Sequence, residues 1–260
     1  MSSEQPFDCW VINMDAQRWV HMQSELSRTG IVAERFDAVR GLDIPDRFQE
    51  AFFDGSNRRA PLSDGEIGCY SSHLVLLERI VARGRPGLVL EDDLRLDRDI
   101  AQLPVFLPLL PEGWGAVRMT GIAKSPRRSV AILSSDRVLC EYMRLPHATG
   151  AILWSPRGAA AFLRAHEHRT LPIDEDLRRS WEHDVDVYGI EPPLAVQNLF
   201  ESSLTELGRD DRAARHRFRA SGSRQGGVRK IGWMLRKFGA VWLTRALLAR
   251  LMRRGNTLLD

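Results

Sequence analysis

Three adjacent carboxylates, Glu91, Asp92 and Asp93, end the apolar run Leu88-Val89-Leu90. Neighbouring carboxylates disfavour one another's ionisation. Hard carboxylate oxygens suit Mg²⁺ or Mn²⁺, ions that bind through one or two carboxylates together with substrate phosphates. A divalent ion here would relieve the repulsion and hold a nucleotide diphosphate. The competing explanation is a solvated strand end that runs into an acidic turn. Side chains alternate along a strand, so Glu91 and Asp93 are expected on one side and Asp92 on the other.

The elements around this run set where it lies. Residues 7–14 (FDCWVINM) read as a buried strand, 16–28 as a helix closed by Gly30, and 31–39 as a second strand. Ser63 and Glu66 form an S-x-x-E capping box that opens a helix reaching Gly84. The acidic strand follows at once. A helix over 99–110, strands over 114–121, 138–146 and 147–154, and a helix from Ser155-Pro156 to Ala165 come next. Short strand-like pieces lie at 185–190 and 193–198, and 171–177 reads as a loop. Strand and helix alternate through the first 120 residues, which predicts an α/β fold with a largely parallel sheet. Ligands in such folds sit beyond the carboxyl ends of the strands, where Glu91, Asp92 and Asp93 fall.

Composition excludes several classes. Of 260 residues, 43% are hydrophobic and 27% charged, which fits a globular chain rather than a disordered one. The odd count and wide spacing of Cys9, Cys69 and Cys140 exclude a disulfide framework and predict a reducing compartment. The first residues carry no basic n-region or long apolar run, so no signal peptide is expected, and no uncharged run is long enough to span a bilayer. No GxSxG turn or GxxxxGK[ST] loop is present.

Seven segments in order resemble glycosyltransferase family 25, the lipopolysaccharide and lipooligosaccharide biosynthesis transferases. They are WVINMDAQR (10–18), RFDAVRG (35–41), LSDGEIGCYSSHL (62–74), LVLEDD (88–93), TGAILWSPRGAAAFL (149–163), LPIDEDL (171–177) and VYGIEPPLAVQ (187–197). Tyr70, Ser71 and Trp154 depart from the family's usual residues, and LPIDEDL carries one acid more than its common D-x-D-L.

The resemblance implies a GT-A-like fold over residues 1–208 and a Mn²⁺ or Mg²⁺ cofactor. It also implies inverting transfer of galactose or glucose from a UDP-sugar. It makes Asp93 the metal ligand and Glu91 and Asp92 donor-binding residues. Val11, Asn13, Asp15 and Arg18 then border the donor, with Asn13 and Asp15 at base and ribose and Arg18 at phosphate. Capping and turn roles compete for Asn13 and Asp15. Glu66, Gly68, His73 and Gln197 are further donor-site candidates, Glu66 also having its cap to explain it. An inverting transfer needs a base for the acceptor hydroxyl. Asp174 and Asp176 match the family's paired acids, against the alternative that they cap a helix.

Residues 209–260 hold 14 Lys/Arg against 3 Asp/Glu, whereas the rest holds 23 against 31. Residues 209–227 read as a flexible linker and 228–254 as a basic amphipathic helix. Its apolar side is Ile231, Met234, Leu235, Phe238, Val241 and Trp242, interrupted by Arg245. Such a helix suits an anionic membrane interface, near a lipid-linked saccharide acceptor; packing on the acidic body is the alternative. The expectation is a cytoplasmic transferase, peripheral on the inner face of the cytoplasmic membrane. Two rivals remain: a nucleic-acid-binding protein using the tail, which the apolar stripe disfavours, and an inactive family member acting as an assembly scaffold.

Overall fold

The computed structural model describes residues 5–41, 43–53, 60–165, 167–197, 224–252 and 258–259. In chain order the elements are β1 (Asp8–Asn13), α1 (Ala16–Thr29), β2 (Glu34–Asp37), α2 (Gln49–Phe52), α3 (Asp64–Arg83), β3 (Gly87–Glu91), β4 (Arg95–Leu96), α4 (Leu103–Phe106), β5 (Ala116–Arg118), β6 (Arg127–Ile132), β7 (Val138–Tyr142) and β8 (Ala151–Trp154). They continue with α5 (Pro156–Arg164), α6 (Ile173–Leu177), α7 (Ser180–His183), β9 (Val187–Glu191), β10 (Ala195–Val196), α8 (Arg224–Phe238), α9 (Ala240–Leu251) and β11 (Leu258–Leu259).

Local chemistry sets the early boundaries. The Asp15 side chain caps α1 by accepting from the backbone N–H groups of Gln17 and Arg18, and Gly30 closes it at φ 72°. The Ser63–Glu66 capping box opens α3, and Gly84 closes it at φ 64°. The helix expected over 99–110 is instead a broken series of single turns, with Pro104 and Pro108 standing at turn starts. Proline lacks the N–H that would carry one turn into the next.

Nine strands form one sheet in the order β11-β6-β7-β9-β5-β8-β3-β1-β2. The β2-β1-β3 portion is parallel, as expected from the alternation. The sheet as a whole is mixed rather than largely parallel, because β8 runs antiparallel to both β3 and β5, and β7 antiparallel to β6 and β9. β6 was not foreseen: its burial is intermediate or exposed, without the apolar alternation that marks a strand.

The pleat divides the core in two. On β1 and β3, Trp10, Ile12 and Val89 pack with α3 and α5, whereas Cys9, Val11, Leu88 and Leu90 pack with α1. Continuing that alternation sends Glu91 toward α3 and Asp92 toward α1. Since β5 shares its direction with β3, the carboxyl ends of β1, β3 and β5 lie along one edge.

The tail departs from the single helix expected. Gly239, at φ 74°, breaks it into α8 and α9 and resets the phase of its apolar side. Phe238, Trp242 and Ala246 bury against Met143 of the body. Lys237 Nζ pairs with Glu141 at 3.2 Å and Asp186 at 2.7 Å, and Trp181 meets Trp233 edge-on. The predicted stripe is therefore split: Phe238 and Trp242 face the body, and Ile231, Leu235 and Val241 are exposed. Of the expected linker, residues 209–223 lie outside the described residues, and 224–227 already belong to α8. Among the described residues no helix is long and apolar enough to cross a membrane.

Trp242→Ala should cost on the order of 3–5 kcal/mol of tail packing, the usual range for truncating a buried large aromatic. Limited trypsin digestion should then cut within α8 and α9 while the body keeps its protection. Unaltered digestion would show that the tail does not depend on this contact.

Candidate active site

Each acid of the trio meets a different surrounding. Asp92, 7% exposed, joins β3 to β1 and α1. Its Oδ2 accepts from Asn13 Nδ2 at 2.8 Å and from the Met14 backbone N–H at 3.2 Å, and its Oδ1 pairs with Arg18 Nη1 at 3.2 Å. Asn13 also donates to the Asp15 carbonyl at 2.8 Å.

Glu91 faces α3 and β8. Thr149 Oγ1 donates to its Oε1 at 2.6 Å, Gln197 Nε2 donates to its Oε2 at 2.6 Å, and His73 Nε2 stands 3.6 Å from Oε1. Burial pushes the Glu91 pKa up, but His73, Thr149 and Gln197 outweigh it and hold the carboxyl below its ordinary value. Glu91 is thus kept ionised in a mostly enclosed place.

Asp93 sits on the turn after β3 and receives least. Its Oδ1 is buried without a hydrogen-bond partner. Burial, then the charges of Glu91 and Asp92, push its pKa from 3.8 to about 6. An orphaned hard oxygen close to ionised Glu91 and to the Asp92 carboxyl fits a hard divalent ion such as Mn²⁺ or Mg²⁺. Cys69, His73 and Glu91 also bring ligand atoms within 4.8 Å of one another. That set fits a hard ion less well, because burial pushes the Cys69 thiol well above its ordinary pKa.

The other sequence candidates fall in different places. Val11 is fully buried in the core, its side chain turned from the cleft by the pleat. Asp15 serves as the α1 cap, and the Arg18 N–H foremost holds its pKa down. Glu66 closes the capping box, accepting from the Ser63 N–H at 2.9 Å. Gly68 permits close packing: a Cβ there would lie 2.5 Å from the Val39 carbonyl oxygen. His73 is wholly buried and reaches the site only through Glu91.

The paired acids separate. The 171–177 stretch, expected as a loop, contains the short helix α6, which carries Asp174, Glu175 and Asp176 in its first turn. Asp176 is 3% exposed and enclosed by Arg169 Nη1 at 3.3 Å and the Tyr70 hydroxyl, which donates to it. The Tyr70 hydrogen bond ties α6 to α3, and together with the Arg169 ion pair it takes Asp176 away from the cleft. Asp174 stays partly exposed, its Oδ2 3.4 Å from His147 Nδ1.

Arg118 escaped the sequence reading. It ends β5, is 3% exposed and donates to the Pro146 carbonyl oxygen, while its Nε and Nη2 have no hydrogen-bond partner. Burial lowers its pKa to about 10, against the raising influence of Tyr142, Asp174 and Glu91. A charged residue inside the apolar strand WGAVRMTG was the available signal, since buried charges need partners or a role. Nearby, Ala148 holds φ 92°, a conformation costly for a residue with a Cβ, beside Thr149.

Residues 7–107 match the model of glycosyltransferase family 25 (LPS biosynthesis protein). A putative glycosyltransferase of Haemophilus influenzae is 25% identical over 213 residues, covering 76% of this chain and 74% of that protein. A glycosyltransferase 25 family member of Anopheles gambiae is 33% identical over 99 residues, covering 34% of this chain and 17% of its own length. The inactive glycosyltransferase 25 family member 3 of Mus musculus is 26% identical over 211 residues, covering 69% and 34%. The matched stretch thus spans under a fifth of the Anopheles protein.

Asp93 generates a pH prediction. Its folded pKa, about 6, lies above the ordinary 3.8. The folded state therefore binds more protons between those values, and stability contributed by this group is lost as pH rises through about 6. Without added metal, Asp93→Asn should be more stable than wild type in urea melts at pH 7.5. The gap should close as pH falls toward 4. A constant gap would refute the raised pKa.

Proposed function

From the glycosyltransferase family 25 domain in residues 7–107, we propose that the chain is a hexosyltransferase. It moves galactose or glucose from a UDP-sugar to a lipid-linked oligosaccharide, in lipopolysaccharide, lipooligosaccharide or related surface-glycan assembly. The observation that carries this reading is the orphaned Oδ1 of Asp93 beside ionised Glu91 at the carboxyl end of a parallel strand. The name of the Haemophilus influenzae relative supports the class.

In this reading Asp93 holds Mn²⁺ or Mg²⁺, with Glu91 adding negative charge beside it. The ion, when bound, neutralises charge on the leaving diphosphate. Asn13, Asp92 and Arg18 fix the wall against which base and ribose lie. Asp174 takes the proton of the acceptor hydroxyl as that oxygen attacks the anomeric carbon and the nucleoside diphosphate departs from the opposite face, so the configuration inverts. His147 at 3.4 Å orients that carboxylate. Arg118, with two N–H-bearing nitrogens unengaged, offers positive charge to the developing anion.

The exposed side of the tail, with Ile231, Leu235, Val241 and Leu248 beside Arg229, Arg236 and Arg245, suits the cytoplasmic face of an anionic membrane. A second reading, a folded but inactive scaffold, draws on the name of the mouse relative.

UDP-galactose and UDP-glucose titrations with and without Mn²⁺ test the proposal. Wild type should bind one of them in a Mn²⁺-dependent way, and Asp93→Asn should lose that dependence. Asp174→Asn should keep donor affinity and lose about 10²–10⁴-fold in turnover, the usual contribution of a general base. Donor binding without turnover in the wild type would favour the scaffold. Failure of every UDP-sugar to bind would overturn the transferase reading.

A further inference from the structure

The loops beyond the strand ends enclose a cleft of about 410 Å³. Gln197 forms one part of its wall and donates to Glu91 at 2.6 Å, so the cleft adjoins the carboxylate cluster. Lys124, Arg144, Arg178 and Arg250 line it beside apolar residues such as Ile122 and Leu145, and among the described residues no Asp or Glu does. A smaller cleft beside it shares Arg144 and Arg178 and adds Arg179, Lys230 and one acid, Glu175.

Lys124, Arg144 and Arg250 stand exposed at the cleft. Arg178 has Glu175 at 3.3 Å, but among the described residues no acid pairs with Lys124, Arg144 or Arg250. Burial, then the charges of Arg144, Arg178, Arg250 and Arg179, lowers the pKa of Lys230. Lys230 and Arg250 come from α8 and α9, whereas the others come from the body. The packing of Phe238 and Trp242 therefore holds like charges together across the body–tail boundary. Such an arrangement is unfavourable alone and becomes favourable around a multiply charged anion, which the planar guanidinium forks bind bidentately.

We propose that this cleft binds a phosphate or diphosphate group of the acceptor, and that the tail completes the acceptor site. The inference rests on the transferase reading for its substrate but not for its site. A neutral saccharide gives no reason for these cations. The donor diphosphate is assigned to the other side of Gln197, at Asp93.

The test uses the full chain with inorganic pyrophosphate, by calorimetry in EDTA, beside flotation with phosphatidylglycerol vesicles. Wild type should bind pyrophosphate, and Arg144→Gln/Arg250→Gln should weaken it on the order of tenfold or more, as expected for losing charged hydrogen bonds. UDP affinity measured with Mn²⁺ should stay within about twofold, because neither residue touches the donor side. Lys124→Gln, at an exposed position, repeats the measurement should the double variant fail to fold. Vesicle binding that falls in parallel identifies a lipid-borne phosphate, and vesicle binding that persists identifies a phosphate carried on the glycan; both support the cleft. Absent pyrophosphate binding, or equal binding by the variants, overturns it. Loss of UDP binding in the wild type would instead strike the transferase reading and leave the pyrophosphate result standing.

Discussion

Three consecutive carboxylates at the end of a buried strand cannot share one solution to their mutual repulsion. The pleat separates the first two. Glu91 turns toward α3 and β8, where Thr149 and Gln197 donate to it. Asp92 turns toward α1, where Asn13, the Met14 N–H and Arg18 satisfy it. Those contacts tie β3 to β1 and to the helix that follows β1. Asp93, on the turn, is left with an unmatched oxygen and a pKa near that of a histidine, about 6. Glu91 is held charged by its donors and Asp92 is engaged on both oxygens, whereas Asp93 keeps an oxygen that no protein group satisfies.

The surrounding architecture serves that arrangement. Parallel pairing of β1 with β2 and β3 brings their carboxyl ends to one edge. Antiparallel β8 then enters beside β3, so Thr149, which precedes β8, meets Glu91. The Glu91 N–H donates to the Gly150 carbonyl at 2.7 Å, fixing that register. The same edge receives Arg118 from β5 and Asp174 from α6, giving the site a buried cation and a partly exposed acid.

Local features were legible in the sequence because their causes lie within a few residues. The Ser63–Glu66 box, the Asp15 cap and the Gly30 and Gly84 stops each follow from one turn of backbone. The acidic strand end was legible for the same reason. The mixed sheet was not, since β8 has the same apolar pattern whichever way it runs. Asp176 looked like Asp174 until Arg169 and Tyr70, seven and 106 positions away, enclosed it. Likewise, one amphipathic stripe in the tail became two faces because Gly239 changed the phase between α8 and α9. For the sheet and for Asp176 the missing information was pairing between separate segments, and for the tail it was the left-handed turn at one glycine.

The central claim is that Asp93, beside ionised Glu91, is held partly protonated until a divalent ion displaces its proton. Proton release on Mn²⁺ binding measures this directly, by calorimetry with a saturating UDP-sugar, whose diphosphate diester carries no proton near pH 6, in buffers of different ionisation enthalpy. At pH 6 each Mn²⁺ should displace about half a proton, falling toward zero at pH 8. The release should vanish in Asp93→Asn. Saturable Mn²⁺ binding that releases no proton at pH 6, or releases the same number with and without the Asp93 carboxyl, would contradict the account.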